Sequence, residues 1–245
     1  MPQEVLIRSP THPACISPDY VVVTEDRHQA LLDALRKEYK RIFPQEDLSK
    51  DDYPRIVSHN HFDRLQATLS KTKGRVVLEG QNDRSSKMMG MTVVDDISWD
   101  DEVMKEYVQS TWSSRIQYNG PLVLTTPAYP REIFGPILPI VKVRNVNEAI
   151  DKLQGSTPLA LYVFSRSPEF VENVRKNTQS GAIVTNDVLL HFTIDALPFG
   201  GVGESGVGSY HGKRSFDVFT HERSGVTTPF WYVRKSTLIE LLCGA

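Results

Sequence analysis

Ile137-Leu-Pro-Ile-Val-Lys-Val143, Val146-Asn-Glu-Ala-Ile-Asp-Lys-Leu153, Leu159-Ala-Leu-Tyr-Val-Phe-Ser165, Pro168-Glu-Phe-Val-Glu-Asn-Val-Arg-Lys-Asn-Thr178 and Gly181-Ala-Ile-Val-Thr185 follow one another in the second half of the chain. The first is an apolar run after Pro136 and reads as a buried strand. The second has helical spacing and is opened by Asn145 or Asn147. The third and fifth are again strand-like, and the fourth reads as a helix. Strand, helix, strand, helix and strand at these intervals predict parallel pairing through right-handed crossovers, so the architecture reads as α/β.

Working outward, Val21-Val-Val23 reads as a short strand. From His28 to Phe43 the residues Leu31, Leu32, Leu35, Tyr39 and Ile42 recur at helical spacing, and Phe62, Leu65 and Leu69 do so between His59 and Leu69. Arg75 to Glu79 is strand-like. Ligands in open α/β sheets bind beyond the carboxyl ends of the strands. The Thr185-Asn-Asp187 turn and the glycine run after Pro198 are therefore expected at that rim. Gly200, Gly201, Gly203, Gly206 and Gly208 permit positive φ and close approach of a ligand or of a neighbouring segment. Taken alone, they read as a packed turn. They are not a dinucleotide fingerprint, because no suitable strand feeds them and no helix with an acidic partner follows.

A chain of 245 residues can bury a substantial core. Its 28 basic and 30 acidic residues nearly cancel, with no long cationic run, so neither nucleic acid nor an anionic membrane surface is indicated. No apolar stretch approaches the roughly 18 residues of a bilayer span, and no signal-peptide core opens the chain. The two cysteines, Cys15 and Cys243, sit at opposite ends of the sequence, which favours a reducing, cytoplasmic setting over a disulfide framework. No Cys or His spacing suggests a metal. Taken alone, Cys15 reads as a small loop residue, Glu132 as a surface carboxylate and Phe134 as a core side chain.

Four motifs change that reading when taken together. Pro13-Ala-Cys-Ile-Ser-Pro-Asp-Tyr20, Glu132-Ile-Phe-Gly-Pro136, Thr185-Asn-Asp187 and Pro198-Phe-Gly-Gly-Val-Gly-Glu-Ser-Gly-Val-Gly208, the last running on into Ser209-Tyr-His-Gly-Lys213, resemble the catalytic domain of aldehyde dehydrogenases, in particular the fatty-aldehyde (class 3-like) branch. The resemblance implies the doubly wound parallel catalytic domain of that fold, without its N-terminal nucleotide-binding domain. It implies Cys15 as the catalytic thiol, Glu132 and Phe134 at the nicotinamide end of NAD or NADP, and Asn186 and Phe199 in the substrate pocket. His211 matches a position at the rim and takes no part in the chemistry. Cysteine suits this work, because its thiolate adds to an aldehyde carbonyl to give a thiohemiacetal and then a thioester that water hydrolyses.

The resemblance is to the C-terminal catalytic portion only, and it divides the chain. Residues 1–13 do not match, residues 14–223 form the catalytic domain and residues 224–245 are a divergent tail. Within the domain, Tyr107 to Arg131 interrupts the family pattern. It reads as a translated, short, fungal-type intron, the alternative being a lid; by the same logic residues 1–13 read as a misassigned start. The expected activity is NAD(P)-dependent oxidation of a small-molecule aldehyde to a carboxylic acid, impaired in a chain of this span and with only weak cofactor binding. The expected assembly is a homodimer. The competing readings are a cofactor-independent thiol protein acting on thioesters or carbonyl compounds, and a non-catalytic partner.

Overall fold

A computed structural model describes residues 14–44, 53–104 and 133–229. Residues 1–13, the interruption at 107–131, Glu132, Cys243 and the tail from residue 230 lie outside the described residues, and so do the expectations placed on them.

In chain order the elements are β1 (Val21–Thr24), α1 (Glu25–Ile42), α2 (His59–Lys71), β2 (Arg75–Glu79), β3 (Asn82–Asp83), β4 (Met88–Met89), β5 (Thr92–Asp95), β6 (Ile137–Val143), α3 (Val146–Leu153), β7 (Ala160–Val163), α4 (Pro168–Asn177), β8 (Ala182–Thr185) and α5 (Lys213–Val218). The helix ends are set by simple local chemistry. Glu25 and Asp26 occupy the first turn of α1, where the helix dipole favours acidic groups, so the helix begins upstream of the expected His28. Pro44 follows its end and cannot continue it. Ser58 caps α2 by accepting from the His61 amide at 3.2 Å, and Asn145, of the two candidates, caps α3 by accepting from the Glu148 amide at 3.0 Å.

The central sheet has the order β1-β6-β5-β2. β1 and β5 each run parallel to β6, whereas β2 runs antiparallel to β5 because the β3–β4 hairpin occupies the connection and turns the chain back. The sheet is thus mixed, where a purely parallel one was expected. β6 carries the expected proline, Pro139, within a central strand. β5 pairs with Ile137, Leu138 and Pro139, and β1 takes over from Ile140 onward, so the missing amide falls where pairing passes from one neighbour to the other.

Alternation along these strands feeds two cores. Val93, Leu138 and Ile140 face Leu32, Leu35 and Tyr39 of α1, while Val94, Ile137 and Val141 face Phe62 and Leu65 of α2. The sheet is therefore covered on both faces, which is the doubly wound arrangement. β7 and β8 pair in parallel across α4, as predicted, but form a separate two-stranded sheet. β6 does not pair with β7 among the described residues, since both of its edges are taken by β1 and β5. Ile150, Val163 and Val174 tie α3, β7 and α4 together.

Asp95, at the carboxyl end of β5, is fully buried. His28 Nε2 from α1 lies 2.6 Å from one carboxylate oxygen, and Arg75 from β2 donates to the other at 2.9 Å. Next to it, Lys142 of β6 pairs with Asp96 at 2.5 Å. Ion pairs thus occupy the carboxyl rim of the central sheet, the place where the sequence reading expected ligand loops.

Candidate active site

Cys15 is a free, exposed thiol in a turn closed by the Ser17 amide on the Ala14 carbonyl at 2.9 Å. This turn and the Ile133–Gly135 segment lead into β1 and β6, so both stand at the amino ends of parallel strands. Asn186, by contrast, follows the carboxyl end of β8 as expected. Its side chain pairs twice with the Ser165 backbone, accepting from the amide at 2.9 Å and donating to the carbonyl at 3.0 Å. That pairing fastens the ends of β7 and β8 together and engages both ends of the amide.

The thiol turn is supported from β7. Tyr162 donates its hydroxyl to the Ile16 carbonyl at 2.5 Å. Burial pushes the Tyr162 phenol up to about 12, so it remains a donor throughout the neutral range. From Tyr162 a strip of rings leads on to the glycine run: Tyr162 meets His191 at 6.2 Å, and His191 stacks on Phe199 at 5.9 Å. Phe199 is also stacked by His211 on a tilt of 24° and met edge-on by Phe192 and Tyr210. His191 is buried with no hydrogen-bond partner at either ring nitrogen among the described residues, and that burial holds its imidazole below the ordinary pKa. Around this strip Leu190, Ile194 and Leu197 are exposed, giving it an apolar face.

The glycine run is a packed loop. Phe199 and Tyr210 exchange backbone hydrogen bonds at 3.0 and 2.9 Å, closing it at its base. A side chain at Gly181, just before β8, would come within 2.4 Å of the Gly200 carbonyl oxygen, so the loop lies directly on the strand.

Phe134 has its ring partly exposed and its backbone at φ 50°, a left-handed conformation unusual for an aromatic residue. Three side chains missed by the sequence reading hold it. Asp19, within the Cys15 motif, accepts from the Ile133 amide at 2.7 Å; Arg64 donates to the Ile133 carbonyl at 2.7 Å; His61 Nε2 lies 2.7 Å from the Phe134 carbonyl. Burial raises the Asp19 carboxyl above its ordinary pKa, against the pull of the Ile133 amide and the Arg64 charge. Their signal in the sequence was the i, i+3, i+4 spacing of His61, Arg64 and Leu65 on α2. Among the described residues no hydrogen bond or ring contact joins Cys15 directly to Phe134, Asn186 or Phe199; the links run through Asp19 and through Tyr162 with His191.

The α/β scaffold thus presents an exposed thiol, a pinned Ile-Phe-Gly-Pro turn and an aromatic glycine loop. Residues 118–224 match the aldehyde dehydrogenase family. Mouse aldehyde dehydrogenase family 3 member A2 is 38% identical over 210 residues, covering 85% of this chain and 38% of its own length. The rat aldehyde dehydrogenase described as dimeric and NADP-preferring is 36% identical over 211 residues, covering 86% of this chain and 41% of its own. In structure, the substrate-bound state of Staphylococcus aureus AldH superposes with a TM-score of 0.71 at 33% identity, covering 89% of this chain and 46% of that one. The chain carries an aldehyde dehydrogenase family domain, with class 3 relatives. It spans about two-fifths of the length of the curated relatives it matches.

Among the described residues, Phe134 combines a solvent-exposed side chain with a backbone carbonyl held by His61. No group of three or more His, Cys, Asp or Glu able to hold a metal occurs among the described residues. No helix among them is long and apolar enough to cross a membrane.

Proposed function

We propose that this chain supplies the catalytic domain of an NAD(P)-dependent aldehyde dehydrogenase acting on apolar aldehydes, with Cys15 as nucleophile. The observation that carries the reading is the bond from Asp19, four residues after the thiol, to the Ile133 amide, which unites two motifs distant in sequence. The Cys15 thiolate adds to the aldehyde carbon, and the carbonyl electrons move to oxygen, where the backbone amide at the thiol supplies a donor. NAD or NADP, when bound, would supply the hydride acceptor needed to oxidise this adduct to a thioester. Water then hydrolyses the thioester, releasing the acid and the thiol. Tyr162 steadies the turn, and the apolar surface around Phe199 suits an aliphatic substrate. The dimeric state named for the rat relative supports a homodimer as the assembly.

Incubation with an activated aliphatic thioester, followed by mass spectrometry, tests the nucleophile. Acylation is expected at Cys15 and not at Cys243, and Cys15→Ala is expected to lower turnover by about 10³-fold or more. Labelling confined to Cys243 counts against the assignment. Acylation of Cys15 with no oxidation of aldehyde under any cofactor favours the cofactor-independent reading.

The 245-residue chain is further expected to bind NAD weakly, with Kd of about 1 mM or higher, because a cofactor of that size must recover its ordering cost over many contacts. Among the described residues Phe134 alone is assigned to it. Calorimetry giving stoichiometric micromolar binding overturns this expectation.

A further inference from the structure

The turn that carries Phe134 is held by more than packing, and its holders come from one helix face and from the thiol loop. His61, Arg64 and Leu65 are spaced i, i+3, i+4 on α2 and all three meet residues 133–135. Leu65 is fully buried beneath Gly135, where an added side-chain carbon would lie 2.5 Å from its methyl group. Arg64 donates to the Ile133 carbonyl and also approaches His61 Nδ1 at 3.3 Å through Nε and 3.1 Å through Nη2. A guanidinium can only donate, so Nδ1 is the acceptor, and the imidazole proton resides on Nε2, aimed at the Phe134 carbonyl. Asp19 fastens the other end of the same residue, Ile133, by accepting from its amide. A non-glycine residue at positive φ persists only where its surroundings over-determine it, and here the Ile133 amide, the Ile133 carbonyl and the Phe134 carbonyl are each claimed by a separate side chain.

We propose that Asp19, Arg64 and His61 form a clamp that locks the Phe134 turn to the Cys15 loop, with His61, its tautomer set by Arg64, as the positioning residue for Phe134. The functional consequence rests on the aldehyde dehydrogenase reading: the clamp holds the nicotinamide-facing ring and the nucleophile in one frame. Loss of the His61 bond frees the Phe134 carbonyl and lets φ relax toward the ordinary region, while α2 keeps its cap and its buried face.

The test uses the full chain and three variants, His61→Ala, His61→Gln and Asp19→Asn, with hydrogen exchange read by mass spectrometry on the peptide spanning residues 133–138. His61→Ala is expected to speed exchange there about five- to tenfold, the equivalent of one ordinary hydrogen bond, with peptides of β7 and β8 unchanged. Gln places an amide N–H near the Nε2 position, and so His61→Gln is expected to return exchange to within about twofold of the parent. Asp19→Asn is expected to speed both exchange at 133–138 and alkylation of Cys15, because it loosens both ends of the link. A uniform rise in exchange over all peptides, no rise at 133–138, or failure of Gln to restore it in a folded protein overturns the clamp. Aldehyde-dependent reduction of NAD at millimolar cofactor separates the two claims. If the parent is inactive, the functional reading fails while exchange still judges the clamp. If the parent is active and His61→Ala leaves its KM for NAD and its kcat unchanged despite faster exchange, the positioning role fails.

Discussion

Replacing Asp95 by alanine is expected to destabilise the chain by about 3 kcal/mol, the lower end of the range for breaking a buried ion pair because the Arg75 partner stays open to solvent. For a domain of this size that corresponds to a Tm lower by roughly 6–12 °C. The carboxylate is fully buried and joins α1, β2 and β5 through His28 and Arg75, so its removal leaves the Arg75 guanidinium and the His28 ring facing an empty site. The pH dependence follows from the same contacts. Burial alone would raise the Asp95 pKa, but the hydrogen bonds from His28, the Asp96 amide and Arg75 outweigh it and hold the folded carboxyl below its ordinary value. Its contribution is therefore complete above the unfolded carboxylate pKa of about 4 and is lost as the pH falls through the lower folded value. Parallel melts of parent and Asp95→Ala should differ most near neutrality and converge in strong acid. A gap of the same size across that range, or no gap at all, refutes the account.

The second large effect is expected at Gly181. Added to this residue, a methyl group would stand 2.4 Å from the Gly200 oxygen, 2.7 Å from the Leu159 oxygen and 3.0 Å from the Gly201 Cα. All three are backbone atoms, which cannot rotate away as a side-chain tip can. Either β8 or the glycine loop must shift, at a cost of about 2–3 kcal/mol. The loop is the weaker of the two, so Phe199 should leave its stack between His191 and His211, with loss of near-ultraviolet dichroism from the ring cluster. Gly225→Ala is the matched control, since nothing lies within 4 Å of the site. Equal stability of the two alanine variants would show that the loop does not rest on β8 as described.

Long periodic segments were legible in the sequence because their own side chains determine them. β6, α3, β7, α4 and β8 follow from apolar runs and caps that neighbours three or four residues away complete. β5 was not legible. It has four residues, Thr92–Asp95, ends in a carboxylate that disfavours strands, and owes its burial to His28 and Arg75, far off in the chain. The mixed pairing was hidden for a related reason, since the β3–β4 hairpin that reverses β2 consists of two-residue strands.

The site divides in the same way. Cys15, Phe134, Asn186 and Phe199 stand out in motifs, whereas His61 and Arg64 gain their meaning only on meeting a segment about seventy positions downstream. The expectation of ligand loops at the carboxyl rim was placed on the Thr185-Asn-Asp187 turn and the glycine run, and that rule concerns what leaves a strand. Cys15 and Phe134 lie on what enters one.

The parallel pairing of β5 with β6 also sets how much the chain between them may vary. Parallel neighbours need a crossover of a dozen or more residues, and here roughly forty are available; removal of residues 107–131 would leave roughly sixteen. Both lengths satisfy the geometry. For flexible connections in general the entropy of closure grows only with the logarithm of length, so one of roughly forty residues costs about 0.8 kcal/mol more than one of roughly sixteen. A strand pair of this kind is nearly indifferent to what is spliced between its members, and selection against a misplaced segment at that point would have to act through solubility or proteolysis instead of through the stability of the sheet.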